Sequence, residues 1–285
     1  MRVTRRQPRR RYKTKKQRGG NNTMMPKSEI PSSAALVPQS ELRCQCSSTC
    51  KNPIKRGDTF CSEHSTFCPV IGRLTGWEPD YKPNLYNIDK AIQHSHNCFA
   101  YAMAVLDLLR IKSCREKNDC HFHVPGKTKD HPEFSGQMGK TCSDVIGRTM
   151  ADVPNGYLTD FQRACEPGFS KIGVVVDEKN DLHYYRQDSN GWWSHKPGGR
   201  PVTNVDAVGA RIYRPDLASR NYPPEGAGNT GLNYSSFCSY MCVPRAKPKN
   251  NVNEDPNPIQ IAGAVRRNER IAGAKKRKYK TRRTI

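Results

Sequence analysis

One strand–turn–strand signal near the middle of the chain restricts its fold more than any other stretch. Lys171-Ile-Gly-Val-Val-Val176 is a short apolar run rich in β-branched residues, closed by Asp177-Glu-Lys-Asn-Asp181. It reads as a strand ending in a turn. Leu182 to Gln187 reads as the next strand, and Asp188-Ser-Asn190-Gly191 supplies an Asn-Gly pair, whose tolerance of positive φ favours a tight hairpin. Trp192 to Lys196 follows as a third strand, Val205 to Tyr213 offers a fourth, and Phe237 to Pro244 is expected at the sheet edge. Such a meander needs an apolar partner for its core face.

The partner lies upstream. Before Cys98 the text is polar, and after it Phe99, Ala102, Met103, Leu106 and Leu109 recur at helical spacing. A buried helix starting at Cys98 is predicted, with a second short helix over 141–150. Residues 72–97 read as an extended arm and 112–141 as polar loop, in which Cys114, Cys120, His121 and His123 have a spacing unlike a zinc knuckle. The fold class is α+β, a helix packed on an antiparallel sheet.

A thiol at a helix N-terminus is favoured as thiolate, the form that acts as a nucleophile. The competing reading is a small buried residue that packs. A cysteine hydrolase also needs an imidazole as general base and a group to orient it. His183, on the second strand, is the candidate base. His195, on the third, is the candidate orienting group, with Asp206 as its rival. A turn centred on Asn190-Gly191 makes His183 and His195 diagonal neighbours at best.

Residues 42–70 hold a second cluster, Cys44, Cys46, Cys50, Cys61, His64 and Cys68. Cys46, Cys50, Cys61 and His64 form two ligand pairs about ten residues apart, with Cys44 as the alternative to Cys46. Three thiolates and an imidazole suit a tetrahedral structural zinc ion. Cys50-Lys-Asn52 and Phe60-Cys-Ser-Glu-His64 resemble small zinc-binding motifs of large DNA viruses.

The net charge of +22 is concentrated in the ends. Residues 1–20 carry ten Lys/Arg and no acid, and residues 266–285 carry ten with the single acid Glu269. Such tails suit nucleic acid or another polyanion. No apolar run is long enough to span a bilayer, and no signal-peptide core is evident, so an intracellular setting is expected. In that setting twelve cysteines would serve as metal ligands and free thiols before disulfides. The expected layout is a disordered basic tail over 1–41, a zinc module over 42–70, the α+β body over 71–245, and a linker with basic tail over 246–285.

A Cys at a helix start, a strand His and a second His on the next strand resemble the papain-like superfamily, nearest to NlpC-type cell-wall peptidases. More specifically, His96-Asn-Cys98-Phe-Ala-Tyr-Ala102, the hairpin Tyr185-Arg-Gln-Asp188 through Trp193-Ser-His-Lys-Pro-Gly198, and Phe237-Cys-Ser-Tyr-Met-Cys-Val-Pro244 resemble motifs of uncharacterised bacterial and large-virus proteins. The resemblance spans roughly residues 75–245. It implies Cys98 as nucleophile, His183 as base, His195 or Asp206 as orienting group, and the Cys98 N–H in an oxyanion hole. Where NlpC enzymes have Asp-Cys-Ser-Gly this chain has Asn97-Cys98-Phe99-Ala100, so their substrate class does not carry over. Three functions are therefore expected in competition. They are an amide-bond hydrolase with polyanion-binding tails, a structural or genome-packaging component of a virus particle on an inactive hydrolase scaffold, and a non-catalytic zinc-dependent nucleic-acid-binding protein. The particle reading implies virion proteins as partners, and a viral source would place the chain in the virion or in host cytoplasm or nucleus.

Overall fold

The computed structural model describes residues 42–134, 140–224 and 231–245. The basic stretches 1–20 and 266–285 lie outside the described residues, as do the expected tails over 1–41 and 246–285.

Five strands form one antiparallel sheet: β1 (Tyr157–Thr159), β2 (Phe169–Asp177), β3 (Asp181–Gln187), β4 (Trp193–His195) and β7 (Ser236–Pro244), in the order β1-β7-β2-β3-β4. A two-stranded piece, β5 (Asn221–Tyr222) with β6 (Leu232–Asn233), lies apart from it. Among the described residues the α-helices are α1 (Asn84–Asn87), α2 (Lys90–Ser95), α3 (Cys98–Ala102), α4 (Leu108–Lys117) and α5 (Cys142–Asp152), with one 3-10 turn over Lys127–Lys129.

Both sheet faces are covered, which explains the unbroken apolar text of β2. Successive side chains point to opposite faces. Ile172, Val174 and Val176, with Leu182, Tyr184, Met241 and Val243, pack against Phe99, Met103, Val145 and Val153 of the helical side. Val175, Tyr185, Trp193 and Tyr240 face the other way, onto Phe161, Ile212, Ala218 and Tyr234. A strand buried on both faces does not alternate.

Several local expectations are corrected. The helix from Cys98 does not reach Leu109, because Ala104 takes a left-handed φ of 53° and breaks it. A new helix then starts at the Asp107 cap, whose carboxylate accepts from the N–H groups of Leu109 and Arg110. This helix runs to Lys117, through text that reads as loop. Within the expected extended arm, residues 84–95 form α1 and α2. Val205 to Tyr213 contributes only a Val205–Arg211 bridge and no strand. Strand β7 is interior, paired with both β1 and β2.

The cysteines give the largest correction. Eight of them form the disulfides Cys46–Cys68, Cys114–Cys120, Cys142–Cys238 and Cys165–Cys242. Thiols expected to stay free are thus mostly paired. Two bridges hold β7, one to the first turn of α5 and one to the loop after β1.

Closing a long loop restricts the unfolded chain most. The Cys142–Cys238 bridge spans 96 residues. Replacing both partners by Ser should lower unfolding free energy by about 2–4 kcal/mol, read as a drop in urea midpoint. An unchanged midpoint would show that the bridge does not restrain the body.

Candidate functional site

Two clusters carry chemistry, and they lie in different parts of the body.

The first surrounds β3 and β4. Asn97 caps α3, its side chain accepting from the Ala100 N–H, so Cys98 does open a helix. That helix has only five residues. Its C-terminal carbonyls are taken up by buried arginines: Arg186 reaches Tyr101 O at 3.5 Å and Arg245 reaches Ala102 O at 2.8 Å. The Cys98 thiol lies against the edge of β3, 3.9 Å from Leu182 O. Burial pushes the thiol up to about 12, so it is a protonated, shielded group at neutral pH.

His183 and His195 do meet. Their rings lie 4.9 Å apart, and His183 Nε2 is 2.8 Å from His195 Nδ1. Tyr185 is the direct partner of His195 across the hairpin, so His183 is its diagonal neighbour, as the turn position implies. Burial, with His195 as a second cause, lowers the His183 pKa well below the usual imidazole range; burial likewise lowers His195 to about 4. The pair is neutral.

Cys98 does not join this pair through any hydrogen bond among the described residues. The pleat separates them. Leu182 and Tyr184 face the helical core that contains Cys98, whereas His183 turns to the other face, beside Tyr185 and Tyr234. Asp206 has no hydrogen bond to either imidazole among the described residues. Its carboxylate accepts from the N–H groups of Val208, Ala210 and Ser219 and from Gln45 Nε2. These bonds organise the 206–219 loop, and the group that holds His195 Nε2 is the Val205 carbonyl, at 3.0 Å.

The rest of the hairpin motif is an anchor. Arg186, fully buried, donates to Asp188 at 3.0 Å and to Asp80 O at 2.8 Å, and stacks 4.0 Å over the Tyr101 ring. Ser194 Oγ meets Tyr101 OH at 2.6 Å. Lys196 Nζ donates to the carbonyls of Gln93, Gly198 and Arg200. Sequence reading singled out His195 and left these neighbours unassigned; charged residues inside an apolar strand pattern were the available signal.

The second cluster is Cys44, Cys50, Cys61 and His64, whose ligand atoms all lie within 4.8 Å of one another. Cys50 Sγ is 3.7 Å from Cys61 Sγ, and His64 Nδ1 is 3.5 Å from Cys44 Sγ and 3.3 Å from Cys61 Sγ. The Cys61 N–H donates to Cys44 Sγ at 3.4 Å. Burial opposes ionisation of Cys61, but the His64 N–H and neighbouring side chains hold its thiol down to about 6. This Cys3His set can hold a metal ion. Cys46 is excluded from it because its sulfur is bonded to Cys68, and Cys44 fills the place. Ile54, Val208 and Ala210 pack around the cluster, so the Cys/His segment rests on the loop that Asp206 organises. Cys114 and Cys120 form a disulfide, which removes both thiols from any metal site.

Fold and sites together define a disulfide-stapled α+β protein with a Cys3His cluster. Among the described residues, no helix is long and apolar enough to cross a membrane. No family model matches the chain, and no solved structure matches it. Insoluble matrix shell protein 1 of Ruditapes philippinarum is 31% identical over 169 residues, covering 59% of this chain and 92% of that protein. The chain belongs to the family of insoluble matrix shell protein 1.

Buried imidazoles make the body sensitive to acid, and His96 gives the cleanest test. Its Nε2 accepts from the Asp107 N–H at 2.9 Å, and burial lowers its pKa to about 4. The unfolded chain takes up this proton near pH 6.5 while the folded one does not, so stability is full above that value and declines towards pH 4. The expected slope is up to about 1.4 kcal/mol per pH unit. His96→Gln, which keeps an acceptor, should flatten the urea-midpoint profile between pH 6.5 and 4. An identical profile would show that His96 is not held neutral.

Proposed function

We propose that the chain is a structural component of an extracellular matrix, built on a papain-like scaffold and braced by a zinc ion at Cys44, Cys50, Cys61 and His64. The observation that carries this reading is the pairing of eight cysteines in a body whose candidate nucleophile is buried and protonated. Disulfides persist in oxidising settings, which suits a secreted protein and not a cytoplasmic or nuclear one. The relative's name, an insoluble matrix shell protein, agrees with a structural role. Support for the papain-like layout comes from α3, opened by Cys98 and packed on β3, with His183 and His195 on adjacent strands. In this reading the histidine pair fills the core.

Two measurements test it. The protein should be recovered in the washed, insoluble extracellular residue of the tissue that makes it. Recovery only from soluble cell extract would overturn the matrix assignment. In the folded protein at neutral pH, Cys98 should resist iodoacetamide, mapped by peptide, and react once the chain is unfolded. Rapid labelling of folded protein that His183→Ala abolishes would replace the scaffold by a thiol hydrolase.

Support for zinc comes from the edge lengths. A tetrahedral ion with Zn–S near 2.3 Å and Zn–N near 2.05 Å spans about 3.8 Å between sulfurs and about 3.6 Å between sulfur and nitrogen. Three of the six edges, 3.7, 3.5 and 3.3 Å, lie near these values, and all six are within 4.8 Å. Elemental analysis should find about one zinc per chain. Cys44→Ser or Cys61→Ser should remove it, and Cys46→Ser should not. Loss of zinc in Cys46→Ser with retention in Cys44→Ser would restore Cys46 as the ligand.

A further inference from the structure

We propose that the cleft bounded by Arg73, Arg163 and Arg214 binds the carboxylate or sulfate groups of an acidic saccharide chain. The cleft has a volume of about 770 Å³ and lies between the segment 69–73 and the turn 160–163. It is remote in sequence from the histidine pair and uses no residue of the Cys3His cluster.

Its charge is built in. Arg73 and Arg163 are exposed and have no carboxylate partner among the described residues. Arg214 is held in place by Asp216, at 2.6 and 3.1 Å, and its guanidinium lies 4.8 Å over the Phe161 ring. One acid, Asp160, lines the cleft, with Oδ1 already accepting from the N–H groups of Gln162 and Arg163. Beneath lies the buried ammonium of Lys171. It donates to Phe161 O at 2.7 Å and to Arg73 O at 3.3 Å, so one cation joins both walls from below. Guanidinium groups with free donors are suited to planar or tetrahedral oxyanions, which they engage through paired N–H bonds.

The walls are also fixed before any ligand arrives. Cys68, bonded to Cys46, immediately precedes Pro69, and Cys165, bonded to Cys242, follows Arg163 by two residues. Gly72 lies flat on Phe161, since a Cβ there would come within 2.9 Å of the ring. A rigid site gives up little conformational freedom on binding. The remaining lining, Pro69, Ile71 and the Gln162 amide, offers an apolar surface beside a polar group. That combination matches the CH faces and hydroxyls of a sugar ring. Arginine clusters also capture acidic peptide motifs, so the apolar and amide lining is what favours a sugar ring here, and an acidic peptide is one arm of the test.

The test uses the full chain, so that the basic ends are present in every arm. Wild type and the Arg73→Ala/Arg163→Ala variant are titrated near physiological salt with four probes: a uronic-acid tetrasaccharide, a sulfated tetrasaccharide, a neutral tetrasaccharide and hexa-aspartate. Both arginines are exposed, and circular dichroism checks the fold of the variant. At least one anionic saccharide should bind wild type about tenfold more tightly than the variant, and should protect 69–73 and 160–163 from hydroxyl-radical labelling. The arm that binds tells a carboxylate from a sulfate ligand. Equal binding by both proteins, without protection, would assign the affinity to the ends and overturn the proposal. Tighter binding of hexa-aspartate, or of the neutral sugar, would overturn the ligand class.

Discussion

The buried guanidinium of Arg186 is the constraint on which the arrangement of helices and hairpin depends. A cation with 1% exposure is tolerated only where its charge and donors are met. Asp188 meets the charge from within the same hairpin, Asp80 O fixes the preceding arm, and the Tyr101 ring and carbonyl fix α3. Removing any of these leaves a charged group stranded in the core. Lys196 and Arg245 are also buried and donate to backbone carbonyls of helices, Lys196 to Gln93 O of α2 and Arg245 to Ala102 O of α3. A five-residue helix has little stability of its own, and Arg186 and Arg245 hold α3 where the sheet needs cover.

Much of the sheet was legible. β-branched runs, turn residues and the Asn-Gly pair located β2, β3 and β4 and made His183 and His195 diagonal. What failed was decided by tertiary contacts. Leu106 and Leu109 fit a helical stripe from Cys98, but the left-handed Ala104 and the Asp107 cap redirect the chain, leaving Leu109 60% exposed. The interior position of β7 rests on pairing with β1 and β2, a long-range choice that its own alternation does not encode. Parity was the overlooked signal at the candidate site. Leu182 and Tyr184 are the apolar parity of β3, so a helix packed on them leaves His183 pointing away.

The sulfurs show the same division between local and tertiary information. Spacing identified a metal-binding segment, and only geometry separates Cys44, beside His64, from Cys46, two residues later and bonded to Cys68. Three thiols therefore remain together in a body where eight others are paired. Such a group stays reduced most readily when a metal ion occupies it, since bound thiolates are withdrawn from exchange.

The interior place of β7 also bears on how the protein is made. Its residues are the last of the described body to leave the ribosome, yet they lie between β1 and β2. Until they arrive, β2 has β3 on one side and nothing on the other, an apolar edge open to pairing with other chains. The β2–β3–β4 hairpins can form before β7 is made, whereas the sheet closes only once residues 236–244 are free to pair. A nascent chain of this design is exposed to misassembly until β7 emerges, and a chain halted before residue 236 would carry an unfinished sheet.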